Sequence, residues 1–194
     1  MVNILGNLNR ALVLGGGLLV LALLIFHGDA LNLYWFNYFL RFFHSLVGLL
    51  WIGLLYYFNF VQIPTMPKVP AELKPGVTKY IAPEALFWFR WSALATVVIG
   101  IAIAGAPQQH YLVEALTLQD GYRNIGVGMW LGLIMAGNVW IFIWPNQKIA
   151  LGIVDADADA KARAAKTAML FSRTNFVLSF PMLYLMVTRA GFGG

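Results

Sequence analysis

Cysteine is absent from the 194 residues, and charged residues make up only 11% of them. Without cysteine the chain forms no disulfide, no iron-sulfur cluster, no thiolate metal site and no covalently attached c-type haem. A soluble domain carries about 25% charged residues, so this charge content argues against folding in water. The sequence also has no Ser-His-Asp order, glycine-rich phosphate loop, HExxH or CxxC motif. Hydrolase and nucleotide-binding functions therefore find no support.

Hydrophobic residues account for 60% of the chain and aromatic residues for 15%. Five apolar stretches approach or exceed the roughly 20 residues that cross a bilayer core. They are residues 11–27, 39–61, 86–106, 125–144 and 170–187. Backbone polar groups in lipid must be satisfied within the segment, which favours helices. The sequence therefore predicts an all-α, polytopic membrane helix bundle of about five transmembrane helices, forming a single integral membrane domain over residues 1–194.

The lysine and arginine residues are unevenly divided between the two sides of such a bundle. One side collects Arg10, Lys68, Lys74, Lys79, Arg90, Lys148, Lys161, Arg163, Lys166 and Arg173, and the other collects Arg41, Arg123 and Arg189. This bias predicts a cytoplasmic N-terminus and a C-terminus on the outer side, which is the periplasmic side if the membrane is a bacterial inner membrane. Since the basic residues fall between apolar spans, the predicted partner is the lipid bilayer and not nucleic acid.

Two connections have distinctive compositions. Residues 145–169 contain three aspartates followed by basic residues among alanines, which predicts a short charged helix on the membrane surface that extends into the fifth span. Residues 28–37 contain an aromatic cluster, which predicts an amphipathic segment in the interface before the second helix begins.

The second span carries the polar residues most suggestive of chemistry. Arg41, His44, Gly48 and Trp51 are separated by three, four and three residues, so they share one helix face. A histidine beside a glycine gap suits haem b, with His44 as the iron ligand and Arg41 pairing with a propionate. The alternative is a histidine that packs against a neighbouring helix. His27 is a less suitable second ligand, because it lies at a different predicted depth.

Further polar residues lie in the fourth and fifth spans. Met129 or Met135 is a candidate iron ligand opposite His44, and Asn138 lies one turn beyond Met135. Arg173 and Asn175 precede a proline in the fifth span. The competing interpretation for all of these residues is a helix-packing seam.

Two motifs resemble the membrane-bound urate oxidase (urate hydroxylase) family. The first is HSLVGLLWIG at residues 44–53, followed by FVQIP at 60–64, and the second is SRTNFVLSFPM at 172–182. A more distant similarity is to four-helix haem proteins of the protoporphyrinogen oxidase type and to copper-resistance membrane proteins. The resemblance implies a haem b module with His44 as the matching histidine, in an oxidoreductase that passes electrons to the respiratory chain. The cytochrome c domain of that family is absent from this sequence, which has no CxxCH.

Two functional hypotheses follow. The first is an accessory or structural subunit of a larger respiratory or photosynthetic membrane complex, with no catalysis of its own. The second is a haem b-binding oxidoreductase or electron-transfer protein. The residues predicted to bind the cofactor are His44, which would also bind the metal, and Arg41, Gly48, Trp51, Met135, Asn138, Arg173 and Asn175. A transporter is less favoured, because paired buried acids are absent.

Overall fold

A computed structural model describes residues 2–107 and 110–188, and within these ranges all regular structure is helical. The described helices are α1 (Val2–Leu5), α2 (Leu8–Ala30), α3 (Leu33–Lys68), α4 (Lys74–Gly105), α5 (Leu112–Leu116), α6 (Arg123–Ala150) and α7 (Ala158–Thr188). Helices α2, α3, α4, α6 and α7 are long and apolar enough to cross a membrane. The predicted all-α fold with five transmembrane helices is confirmed.

Several helices extend well beyond the apolar stretches that predicted them. Helix α3 has 36 residues, a length of about 54 Å against roughly 30 Å for a bilayer core. Four of the long helices continue through a proline. Pro181 lies inside the unbroken α-helix of α7, whereas in α3, α4 and α6 a π-helical segment precedes a proline. The segments are Tyr57–Gln62 before Pro64, Val77–Ile81 before Pro83, and Asn138–Ile143 before Pro145. A proline ring clashes with the carbonyl four residues earlier, and the wider π turn relieves that clash.

The chain divides into two compact units, residues 1–39 and 40–194. In the first unit, Asn7 caps α2 by accepting a hydrogen bond from the Arg10 amide at 3.2 Å. Asn32 accepts from the Trp35 amide at 2.9 Å, so α3 is already helical from Leu33. The aromatic residues expected in a separate interfacial segment are therefore the first turn of α3, because this cap starts the helix early. The prediction of one domain stays a prediction.

The core of the second unit lies among α3, α4, α6 and α7. Trp51, Leu55, Phe89 and Met135 are each at most 2% exposed and form one hydrophobic cluster. Helix α7 packs along the full length of α6. The bundle is thus an assembly of packed helices with an apolar core.

Two hydrogen bonds fix helices next to the connections of this unit. Trp130 donates from Nε1 to the Leu116 carbonyl at 2.9 Å, which fixes α5 against α6. Asp157 accepts from the Ala160 amide and caps α7, which runs unbroken from Ala158 to Thr188. The predicted charged helix that extends into the fifth span is therefore confirmed as a helix. Arg189, one of the residues used to predict orientation, lies outside the described residues.

Candidate functional site

A cavity of about 540 Å³ lies in the second unit, and α3, α4, α5, α6 and α7 all contribute to its wall. Its volume falls within the roughly 300–1,000 Å³ typical of small-molecule and cofactor sites. Apolar atoms form almost all of the lining. A pocket of this size and character accepts a large, mostly apolar ligand.

His44 contributes an imidazole to this cavity. Its Nδ1 is buried and has no hydrogen-bond partner among the described residues, although the Thr96 backbone lies close to the ring. A Cβ atom placed on Gly100 would lie 3.0 Å from Cε1 of His44, so the ring packs directly on the α4 backbone. Gly100 therefore makes room for the imidazole. Nδ1 lies nearer to the α4 backbone than Nε2 does, at 3.4 and 4.0 Å from that Cβ position, so Nε2 is the ring nitrogen better placed to bind a ligand.

Glycine residues shape the remaining wall. A Cβ atom on Gly48 would meet Thr96 at 3.8 Å, so α3 and α4 approach each other closely at this level. Gly53 and Gly132 also line the cavity, and a Cβ atom on either would meet nothing within 4 Å. These two positions face open space. The glycines thus leave a gap where side chains would otherwise fill the centre of the bundle.

Three methionines line the cavity: Met129, Met182 and Met186. Met135 does not line it, because its side chain is fully buried in the hydrophobic core. Of the two methionines considered as a second iron ligand, the structure brings Met129 to the cavity that His44 lines. A thioether is a known axial ligand of haem iron.

Trp51 lines the same cavity and is 2% exposed. Its Nε1 is buried without a partner among the described residues. His44 and Trp51 thus both line the cavity, and each carries a buried ring nitrogen. Trp51 supplies a donor for an oxygen-bearing group on a ligand.

Asn138 and Asn175 meet each other away from the cavity. Asn138 donates from Nδ2 to Oδ1 of Asn175 at 2.8 Å, and Asn175 donates from Nδ2 to the Met135 carbonyl at 2.9 Å. The contact lies where the π-helical segment of α6 begins, and the side-chain amide satisfies a carbonyl there. The pair joins α6 to α7.

The two predicted arginines also lie off the cavity wall. Arg173 is exposed on α7. Arg41 does not line the cavity, although it is close enough to His44 for its charge to act on the ring. The structure thus gathers His44, Gly48 and Trp51 at one site and places Met135, Asn138, Arg173, Asn175 and Arg41 elsewhere.

Sequence reasoning missed the part of the wall that α4 and the end of α7 supply. Thr96 and Gly100 are four residues apart, as are Met182 and Met186. Each pair therefore lies on one helix face. A small-xxx-small pattern at residues 96–100 was the available signal, because such pairs mark close helix contacts.

Residues 108–190 match the family model for the urate oxidase N-terminal domain. The match covers α5, α6 and α7, and with them the methionine wall of the cavity and the Asn138–Asn175 pair. It includes the motif at residues 172–182 and does not extend to His44 or to the motif at 44–53. No curated protein and no solved structure matches the chain.

Proposed function

We propose that this chain is the haem b-binding membrane subunit of an oxidoreductase complex of the urate oxidase type. It carries a helical membrane domain like the urate oxidase N-terminal domain, with five apolar helices suited to a lipid bilayer. The observation that supports this proposal most is the cavity of about 540 Å³ that the imidazole of His44 lines.

The residues of the cavity fit a flat, apolar macrocycle with a metal at its centre. His44 would supply a nitrogen ligand, and Gly53 and Gly132 leave open space at the wall. Met129, Met182 or Met186 would supply a thioether on the same cavity. When bound, haem b supplies a one-electron redox centre.

The protein's own groups would set the surroundings of that centre. The apolar lining would exclude water, which favours electron transfer over side reactions with solvent. Trp51 would donate its unpartnered Nε1–H to an oxygen of the ligand, and Arg41 would add positive charge near His44. His44 would hold the orientation that Gly100 permits.

A partner is part of the proposal. These 194 residues contain no cysteine and so no thiolate-bound second redox group. Electrons that enter or leave a haem in this bundle would therefore be exchanged with another redox domain. Subunit and domain would meet in the same membrane, which we take to be a bacterial inner membrane.

The test is a comparison of the wild type with His44→Ala and His110→Ala. Each variant is expressed with ample haem, purified gently, and examined by a reduced-minus-oxidised spectrum and a pyridine haemochrome assay. His110 is exposed and does not line the cavity, so its substitution controls for loss of a histidine. We expect a b-type signal near one haem per chain in the wild type and in His110→Ala, and its loss in His44→Ala.

The absence of haem from the wild type would favour a structural role. If the folded wild type carries no haem, the cofactor part of the proposal is wrong, and the histidine is a packing residue. The alternative of a purely structural subunit would then be favoured by the Asn138–Asn175 contact, which joins two helices without any ligand. Co-migration with a larger complex on native gels would test that role separately.

A further inference from the structure

A second cluster surrounds Arg90 near the middle of α4, and none of its residues lines the cavity. The guanidinium carbon of Arg90 lies 3.9 Å from the ring centroid of Trp144, and 5.2 Å from that of Phe87. Lys148 extends to the same indole, with its Nζ 5.8 Å from the ring centroid. All three separations fall within the roughly 6 Å of a cation–π contact. Two cations from two helices thus share one tryptophan.

Neither cation has an acidic partner in the part of the chain that the structure describes. Arg90 and Lys148 are both half-buried, and no ion pair or hydrogen bond is made by either side chain among the described residues. Glu84, the one carboxylate in the α4 sequence, instead accepts a hydrogen bond from Trp88 Nε1 at 2.9 Å. Half-buried charges next to lipid are costly unless something compensates them.

The position of the cluster along the helices suggests which negative group compensates the two positive charges. Arg90 is close to the start of the apolar stretch 86–106, and Lys148 lies just beyond the end of the stretch 125–144. Both therefore lie at the same end of the predicted apolar stretches, where we expect lipid headgroups to meet the hydrocarbon. This is the lysine-rich and arginine-rich end, which the distribution of basic residues predicts to be cytoplasmic.

We propose that Arg90, Trp144 and Lys148 bind the phosphate of an anionic membrane lipid. A guanidinium presents a planar fork of donors that matches phosphate geometry, and an ammonium adds a point charge. Trp144 holds both cations in place, and an indole favours the headgroup region. The exposed apolar side chains of Phe87 and Trp91 on α4 offer a surface to an acyl chain. The proposal is independent of haem binding, since none of these residues lines the cavity.

The experiment measures lipid binding to the full chain in detergent by native mass spectrometry. The probes are phosphatidylglycerol, phosphatidylcholine and inorganic phosphate. The test variant carries Arg90→Gln with Lys148→Gln. The control carries Arg163→Gln with Lys166→Gln, which removes the same charge from two exposed residues. A third variant, Arg90→Lys with Lys148→Arg, keeps the charge and checks that the site tolerates substitution.

We expect the wild type, the control and the charge-keeping variant to retain phosphatidylglycerol in preference to phosphatidylcholine. Each cation near an anionic headgroup contributes a factor of about five in affinity, so the test variant, which lacks two, should bind phosphatidylglycerol roughly 25-fold more weakly. Equal binding by the test and control variants would overturn the proposal. Displacement of the lipid by millimolar phosphate would also overturn it, since the site would then take free phosphate.

If the test variant aggregates on size exclusion, the single Lys148→Gln variant replaces it. A fivefold loss of phosphatidylglycerol affinity is then expected, and no loss would refute the site.

Discussion

Substitution of Asn175 by alanine removes two hydrogen bonds that join α6 to α7. Asn175 is 0% exposed, its Nδ2 donates to the Met135 carbonyl, and its Oδ1 accepts from Asn138. After Asn175→Ala, the Met135 carbonyl and the Asn138 amide are left in an apolar interior without these partners. The bundle should be destabilised, because no water reaches them to take over.

The magnitude follows from two bounds. A buried polar group that loses its partner costs about 1–3 kcal/mol. Hydrogen bonds between membrane helices average only about 0.6 kcal/mol in double-mutant cycles, because the unfolded chain in the membrane finds other partners. Two orphaned groups and a small void therefore suggest a loss of roughly 2–3 kcal/mol. For a chain of this size that corresponds to a fall in Tm of about 4–12 °C.

The assay is SDS-induced unfolding in mixed micelles, followed by circular dichroism, with thermal unfolding as a second measurement. Val177→Ala is the matched control, since Val177 lies on the same helix and is 64% exposed. The double variant Asn138→Ala with Asn175→Ala should cost less than the sum of the two single variants, because the residues share one contact. If Asn175→Ala unfolds within about 0.5 kcal/mol of Val177→Ala, the reasoning about this contact is refuted.

Two glycine substitutions test the close approaches between helices. Gly100→Leu should displace the His44 ring and lower the haem content severalfold. Gly15→Leu, at a glycine with open space around it, should leave the haem content unchanged. Equal haem content in both variants would contradict the role given to Gly100. Gly126→Ala places a Cβ atom against the Ala115 carbonyl, which is backbone and cannot rotate away. It should destabilise the protein by about 1–3 kcal/mol in the SDS assay, and an unchanged midpoint would show that α5 moves aside freely.

The five membrane helices could be predicted because each is a long apolar run, and that signal is local. Their ends could not, since helical structure continues past the apolar residues into polar ones. Pro64 and Pro145 were reasonable stopping points on local grounds. The structure instead passes through them by means of π-helical segments, whose hydrogen bonding depends on the whole helix.

The candidate site was predictable on one helix and not across helices. His44, Gly48 and Trp51 do line one cavity, because residues three and four apart share a helix face. Thr96 and Gly100 could not be assigned to it, since a single sequence does not tell which helices are neighbours. The pairing of α3 with α4 arises only when the bundle packs.

Met129 and Met135 were both predicted as candidate iron ligands, but spacing along α6 does not place both on the face that lines the cavity. In an α-helix, side chains three residues apart point in directions that differ by about 60° around the helix axis. Met129 and Gly132 are three residues apart and both line the cavity, whereas Met135 is three residues further along and turns into the core. The same rotation takes Asn138 to the contact with Asn175 on α7.

The central claim is that the imidazole of His44 ligates a haem in this cavity, and rescue of His44→Gly by free imidazole tests it most directly. We predict that the folded variant loses the b-type spectrum of the wild type and regains it when haem and imidazole are added together, because the small ligand fills the space left by the side chain. Full haem content in His44→Gly without imidazole, or the absence of haem from the wild type, would contradict the account.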